Sequence, residues 1–424
     1  MADMKSIQSF IEDNREDYIA LLKRMVQEPS KAGEEAGVQS IVADRLSSKG
    51  FEVDRWELDY KLLSEHEAFC ASRADFDGSE NVVGVLKGEG NGKSILLNGH
   101  IDVVPEGERE QWRFDPYSGK VEDGKLYGRG ATDMKGGNLA ALLAIEAIQG
   151  AGIKLKGDVI FQSVVEEESG GSGTLAAIER GYRADAALIP EPTNMRIFPK
   201  QQGSMWFKVH IYGKSAHGGT RYEGMSAIQK AAIVHEAILD LERERNEPLD
   251  SPLYQGNPIP VPINIGKIAG GNWPSSVPDQ VTMEGRMGVA PGESLNDAKR
   301  EFEARLAKLY EADEWFAEAP VEVEWFGARW LPGEIDDDHP FLKTLKESYQ
   351  SQVGEQPVIK ASPWGTDGGL LTALAGIPTV VFGPGETNMA HFPNEYIELE
   401  SIFETASIIA ETVLEWCEAA SVEE

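Results

Sequence analysis

The stretch SILLNGHID, Ser94 to Asp102, is an apolar run that ends on a histidine and an aspartate. Side chains alternate faces along a strand, so His100 and Asp102 should share a side, with Ile101 turned back toward the core. Two polar residues at the end of a buried strand suit an imidazole that binds a metal through one nitrogen while a carboxylate holds the other. A single histidine there is more often a satisfied turn residue than a ligand, so the rest of the chain decides.

Working outward, short β-rich runs (NVVGVLKG, DVIFQSVV, AALIP) alternate up to about Pro190 with helical stretches such as Met134 to Gln149. This rhythm predicts an α/β fold whose mainly parallel sheet carries helices on both faces. After Lys200 the rhythm changes to strand (SMWFKVHIYG), helix (SAIQKAAIVHEAILDLERER), two strands (PVPINIGKIAGG, QVTMEGRMGVA), helix (SLNDAKREFEARLAKLYE) and strand (VEVEWFG). That βαββαβ order predicts a compact ferredoxin-like insert. The α/β rhythm then resumes with GGLLTALAG, IPTVVFG and a last helix from about Glu400. The expected organisation is a core domain over 1–202 and 329–424, interrupted by a smaller domain over 203–328. At the N-terminus, Ile7, Phe10, Ile11, Tyr18, Leu21, Leu22 and Met25 recur at helical spacing, which predicts an opening amphipathic helix stopped by Pro29.

With 71 acidic against 40 basic side chains in 424 residues, the net charge is −31. Such a chain repels nucleic acid and anionic membranes unless a local basic patch overrides the charge, and none appears. The two cysteines, Cys70 and Cys417, have neither paired spacing nor a disulfide framework, which fits a reducing cytoplasm. The acidic N-terminus does not read as a signal peptide, and no apolar run reaches membrane-spanning length.

Motif-like strings elsewhere are weaker. KGEGNGKS lacks the first glycine of a phosphate loop, which would fall at Lys87, and Ser94 leads into a strand instead of a helix. GRGATDMKGG places Asp133 where a dinucleotide fingerprint needs its third glycine. DDDHP, Asp336 to Pro340, reads as a polar turn before a helix.

Several polar residues recur at the ends of the predicted strands or just after them, where open α/β sheets place their sites. His100 and Asp102 end one strand, Glu166, Glu167 and Glu168 another, Glu191 a third, and His391 follows TVVFGPGETNMA; Asp133 precedes a helix. Three glutamates running off an apolar strand are costly unless something pairs with them, and divalent metal would do so.

Taken in order, GHID, GRGATDMKGG, EEESGGSGT, PEPT, GKSAHGG and AHFPNEY resemble the zinc-dependent family of aminoacylase, carboxypeptidase G, acetylornithine deacetylase and succinyl-diaminopimelate desuccinylase, over nearly the whole chain. The resemblance implies two divalent ions per subunit, zinc with cobalt or manganese as alternatives. His100 and Glu191 would hold one, Glu168 and His391 the other, and Asp133 both, with Asp102 orienting His100. It further implies that Glu167 is the general base, taking a proton from the attacking water and delivering it to the leaving nitrogen, and that Glu166 is structural. On the insert, which would serve dimerisation and act as a lid, His217 would stabilise the oxyanion in the partner subunit's site. Arg286 would grip a substrate carboxylate, and Asn272, Gly365 and Thr366 would contact substrate. The implied protein is a cytoplasmic homodimer that hydrolyses the N-acyl amide of an amino acid or small amine, with no nucleic-acid or membrane partner. A dipeptidase or carboxypeptidase of the same family remains the alternative. Trp273, Trp364 and Met389 also leave open a bulkier heterocyclic amide such as a formylated aminopyrimidine.

Overall fold

The computed structural model describes residues 2–71, 73–249 and 251–420. Two compact units divide the chain: Met1–Lys200 with Gly333–Lys360 and Asp367–Glu424 form the larger, and Gln201–Pro332 with Ala361–Thr366 the smaller.

The larger unit is built on a nine-stranded sheet. Its four central strands, in spatial order Val159–Val164, Ile95–His100, Ala186–Ile189 and Thr379–Val381, run parallel. Every residue of these four strands is buried, as expected of parallel strands covered by helices on their faces. Glu80–Leu86 and then Glu52–Glu57 extend the sheet antiparallel on one side. On the other side Ile197–Gln201 pairs antiparallel with Thr379–Val381, followed by Gly333–Glu334, and Ile359–Ser362 also pairs with Ile197–Gln201.

The helix Gly136–Gly150 is apolar on all sides and buried from Gly136 through Ile148, packing against Leu399–Cys417. Its one acid, Glu146, is buried among Arg45, Lys49 and the Tyr18 hydroxyl, at 2.8, 2.9 and 2.6 Å. This helix begins two residues later than expected, because 131–135 forms a separate irregular turn. The expected single N-terminal helix is two, Ala2–Asp13 and Arg15–Gln27. Between them Asn14 leaves helical geometry and donates its side-chain amide to Phe10 O at 2.7 Å, the local competition with the backbone ladder that asparagine is prone to. The buried stripe still runs through both pieces, from Ile7 and Ile11 to Tyr18, Leu21, Leu22 and Met25.

The smaller unit has a four-stranded antiparallel sheet in the order Ile263–Gly270, Gln280–Val289, Gly203–Tyr212, Glu322–Trp330. Helices Ala227–Asn246 and Leu295–Ala307 complete the βαββαβ order. Period-two burial of Met205, Phe207, Val209 and Ile211 aims one face at Val234, Ile238, Phe302 and Leu306, and the Phe207 and Phe302 rings lie 4.6 Å apart. Ser226 and Ser294 cap the two helices by accepting from Gln229 N and Asp297 N. Among the described residues, no helix is long and apolar enough to cross a membrane.

Candidate metal centre

The four parallel strands deliver the polar residues to one end of the sheet, each strand terminating in a loop whose backbone is free to turn a side chain inward. His100 is the last residue of its strand, Glu167 and Glu168 follow Val159–Val164, and Glu191 follows Ala186–Ile189. His391 lies in the loop after Thr379–Val381, and Asp133 in the 131–135 turn. The structure brings all of these together. His100 Nε2 is 3.1 Å from Asp133 Oδ1 and 3.6 Å from Glu191 Oε1. His391 Nε2 is 3.2 Å from Asp133 Oδ2 and 3.0 Å from Glu168 Oε1. One carboxylate, Asp133, therefore stands between two imidazoles with an oxygen toward each. Donor atoms of His100, Asp133 and Glu168 lie within 4.8 Å of one another, as do those of His100, Glu167 and Glu191.

The electrostatics of this cluster describe a site short of positive charge. Burial raises the carboxyls of Glu167 and Glu191 well above the usual range; His100 opposes the shift and neighbouring carboxylates add to it. Burial likewise pushes Asp102 up to about 8, against the pull of His100. Asp133 goes the other way, since hydrogen bonds from His100 and His391 outweigh its burial. For the His100 ring, burial disfavours the charge but Glu191, Asp133, Asp102 and Glu167 outweigh it, so its pKa is raised. His391 is pushed up to about 11, burial again being outweighed, here by Asp133 and Glu168. Protons alone must neutralise this many carboxylates, whereas divalent cations would do so directly. Imidazole nitrogens with hard carboxylate oxygens suit zinc, cobalt or manganese, so the residues present fit such ions.

A supporting layer holds the cluster. His100 Nδ1 meets the backbone carbonyl of Asp102 at 2.8 Å, while the Asp102 carboxylate lies 3.7 Å from that nitrogen. The carboxylate instead accepts the backbone N–H groups of Glu167 and Glu168, at 3.2 and 3.1 Å. Asp102 thus meets His100 twice, through its backbone carbonyl at hydrogen-bond distance and through its carboxylate as a longer ion pair, the strand having ended at His100. Glu166 turns away from the cluster to Arg73, whose Nε lies 2.6 Å from it, and accepts from the Ser169 hydroxyl. Asn138 donates to the His100 carbonyl at 2.6 Å. The glycine at 137 is required by close approach: a Cβ there would fall 1.8 Å from the Pro190 carbonyl, beside Glu191.

Two residues at this site escaped the sequence reading. Arg73 has no local signal, and Glu395, inside AHFPNEY, is fully buried and accepts the N–H groups of Gly130, Thr132 and Asp133. His339 of DDDHP accepts from Phe341 N and caps the helix Pro340–Val353, as the turn reading expects.

The remaining candidates, His217, Arg286, Asn272, Gly365 and Thr366, belong to the smaller unit. His217 is exposed, and its Nδ1 accepts from Gly219 N at 3.1 Å, which leaves the proton on Nε2. Arg286 is half-buried on its strand and has no acidic partner among the described residues; burial lowers its pKa. Asn272 is exposed in the turn after Gly270. At Gly365 a Cβ would meet the Trp330 Cβ at 2.7 Å, and Thr366, buried, donates to the Gln201 side chain. Trp273 and Trp364 are in the same unit, the former 70% exposed, and Met389 ends a short turn of the larger one.

The model of peptidase family M20/M25/M40 matches residues 96–415. The chain is 33% identical over 437 residues to the N-formyl-4-amino-5-aminomethyl-2-methylpyrimidine deformylase of Bacillus subtilis (strain 168), covering 97% of each. It is 28% identical over 351 residues to the acetylornithine deacetylase of Salmonella arizonae, covering 80% of this chain and 85% of that one. Its fold is similar to that of the di-peptidase Dug1p from Saccharomyces cerevisiae, with a TM-score of 0.75, 15% identity, and coverage of 99% and 100%.

Proposed function

This chain belongs to peptidase family M20/M25/M40, and we propose that it is a two-metal deacylase that removes a formyl group from the nitrogen of a small heterocyclic amine. The observation that carries the reading is the Asp133 carboxylate held between His100 and His391, with Glu167 in the same cluster. His100 and Glu191 would hold one ion, Glu168 and His391 the other, and Asp133 both. Ions held there would supply Lewis acidity, lowering the pKa of a water toward neutrality and polarising the acyl oxygen.

Glu167 then acts as the base, taking a proton from the attacking water and passing it to the leaving nitrogen. Asp102 fixes the turn on which Glu167 sits. His217, from the partner subunit of a homodimer, donates Nε2–H to the developing oxyanion, and Asn272, Gly365 and Thr366 contact substrate. A reducing cytoplasm is in keeping with a chain whose two cysteines, Cys70 and Cys417, are both buried.

Formyl is favoured over acetyl by the extent of the likeness, 97% of both chains for the deformylase against 80% and 85% for the deacetylase. Arg286 favours a second reading. A half-buried guanidinium without an acidic partner among the described residues suits a substrate carboxylate, which the aminopyrimidine named above lacks and an N-acyl amino acid has. The test is a panel of N-formyl aminopyrimidine, N-acetyl and N-succinyl amino acids, and dipeptides, each run with zinc, cobalt and manganese. Preferred turnover of the formyl compound is expected. Dipeptides turned over faster than every acyl amine would replace the deacylase with a peptidase, and no turnover by metal-loaded protein would end the hydrolase reading.

A further inference from the structure

Arg129 and Glu395 are both buried, 2% and 0% exposed, and take no part in the chemistry above. Arg129 Nη1 donates to Glu395 Oε2 at 2.6 Å. Each also reaches into the loop that carries the other. From the 391–395 loop, Glu395 accepts the N–H groups of Gly130, Thr132 and Asp133, at 3.1, 2.9 and 3.1 Å. From the other side, Arg129 donates to the carbonyls of His391 and Phe392, at 3.4 and 3.5 Å, and to Pro105 O at 3.3 Å in the loop that follows His100 and Asp102.

We propose that Arg129 and Glu395 are positioning residues forming a reciprocal clamp that sets the metal affinity of the centre by fixing the loops of Asp133 and His391 against each other. The proposal rests on the reading of those two residues as metal ligands. Neither lies on a regular element. Asp133 sits in a turn entered through Gly130 at φ +81°, and His391 itself has φ +64°, a conformation a side chain adopts at a cost unless its surroundings impose it. The Asp133 oxygens are 3.1 and 3.2 Å from the two imidazoles, so a small slip of either loop would part them. A buried ion pair alone adds little net stability, since apolar residues of similar volume often replace one without loss. Its hydrogen bonds here go to the backbone of the ligand-bearing loops, and only a planar fork such as guanidinium reaches carboxylate and several carbonyls at once.

The experiment measures zinc and cobalt affinity by chelator competition on the wild type and on Glu395→Gln, Arg129→Lys and Glu146→Gln. Glu146 is the control, a buried acid with cationic partners of its own on the helix Gly136–Gly150. Glu395→Gln and Arg129→Lys should bind metal about 10–100-fold more weakly, the range typical of residues that support ligands, and excess metal should restore activity. Glu146→Gln should melt at a lower temperature with metal affinity unchanged. Wild-type affinity in both clamp variants overturns the proposal, as does an equal loss of affinity in Glu146→Gln. If Glu395→Gln does not fold, Arg129→Lys, which keeps the charge, decides alone. A wild type that binds no metal is seen before any substitution and removes the hydrolase reading together with the clamp.

Discussion

The carboxylate of Asp102 accepts the backbone N–H of Glu167 at 3.2 Å, and its second oxygen accepts that of Glu168 at 3.1 Å. Both oxygens are used, so Asp102→Asn leaves one N–H facing an amide NH2 instead of an acceptor. An unsatisfied buried donor costs about 1–3 kcal/mol, and here the strain falls on the turn that aims the base. We expect kcat to fall about tenfold or more while metal content holds, because His100 is oriented by the Asp102 carbonyl. Metal analysis beside kinetics decides; metal loss with unchanged turnover per bound ion would move the role of Asp102 to His100.

Glu167→Gln should retain metal and lose turnover by about 10²–10⁴-fold, the usual contribution of a general base. The amide is isosteric, so the neighbouring groups keep their places, but it cannot take the proton. Glu168→Ala and His391→Ala should instead lose metal first, each removing half of the pair that meets at 3.0 Å. A metal-replete Glu167→Gln enzyme of near-normal rate would remove Glu167 from the mechanism, and full metal occupancy in the other two would discredit the ligand pair.

His100, Glu167, Glu168 and Glu191 could be grouped from the sequence because each lies at or just after a β-rich run, and parallel strands put those ends together, whereas Asp133, in the 131–135 turn, was joined to them only through the family resemblance. What they touch was less readable. Arg73 pairs with Glu166 across 93 positions and Glu395 reaches Asp133 across 262, and nothing local marks either. The strands Glu52–Glu57 and Ile197–Gln201 were missed for a related reason. EVDRWE is polar and IFPKQ contains a proline, yet both are joined to the sheet antiparallel, outside its parallel centre, where backbone pairing asks less of the side chains. The smaller unit was readable because its strand Gly203–Tyr212 alternates and its helices Ala227–Asn246 and Leu295–Ala307 open on serine caps.

Metal uptake should release protons and strengthen as pH rises through neutrality. In the metal-free site His391 is raised from 6.5 to about 11, so it carries a proton at pH 7 that a metal must displace. The folded value lies above the unfolded one. The ion pairs of His391 therefore stabilise the metal-free protein fully below about 6.5, and that contribution is lost only as pH rises toward 11. Calorimetric titration of zinc in buffers of different ionisation enthalpy reads the released protons directly. Uptake without proton release, at an affinity flat from pH 6 to about 8, would mean that no protonated group is being displaced.

Arg286→Ala should raise KM strongly for N-acyl amino acids and little for an N-formyl aminopyrimidine. A charge-assisted hydrogen bond to a carboxylate is worth about 1.5–3 kcal/mol, or roughly tenfold to more than a hundredfold in KM, and only the first substrate class has the carboxylate. KM measured for both classes on one preparation makes the comparison internal. Equal losses would give Arg286 a structural role in the sheet of the smaller unit.

His217 is exposed, and Gly219 N–H occupies its Nδ1, so the ring presents Nε2–H as a donor. If that donor serves the partner subunit's site, His217→Ala and Glu167→Gln homodimers should each be nearly inactive, the first by about 10²–10³ in kcat. A mixed dimer then contains one site with both lesions and one with neither, since base and donor come from different chains. In an equal, randomised mixture half the dimers are mixed and each has one intact site of two, so activity should return to about a quarter of wild type. Differential tags verify that subunits have exchanged. Exchange without recovery places His217 in its own subunit's chemistry or in none. A fully active His217→Ala homodimer would reduce the residue to a polar cap on its glycine-rich turn and leave the oxyanion to the metal centre alone.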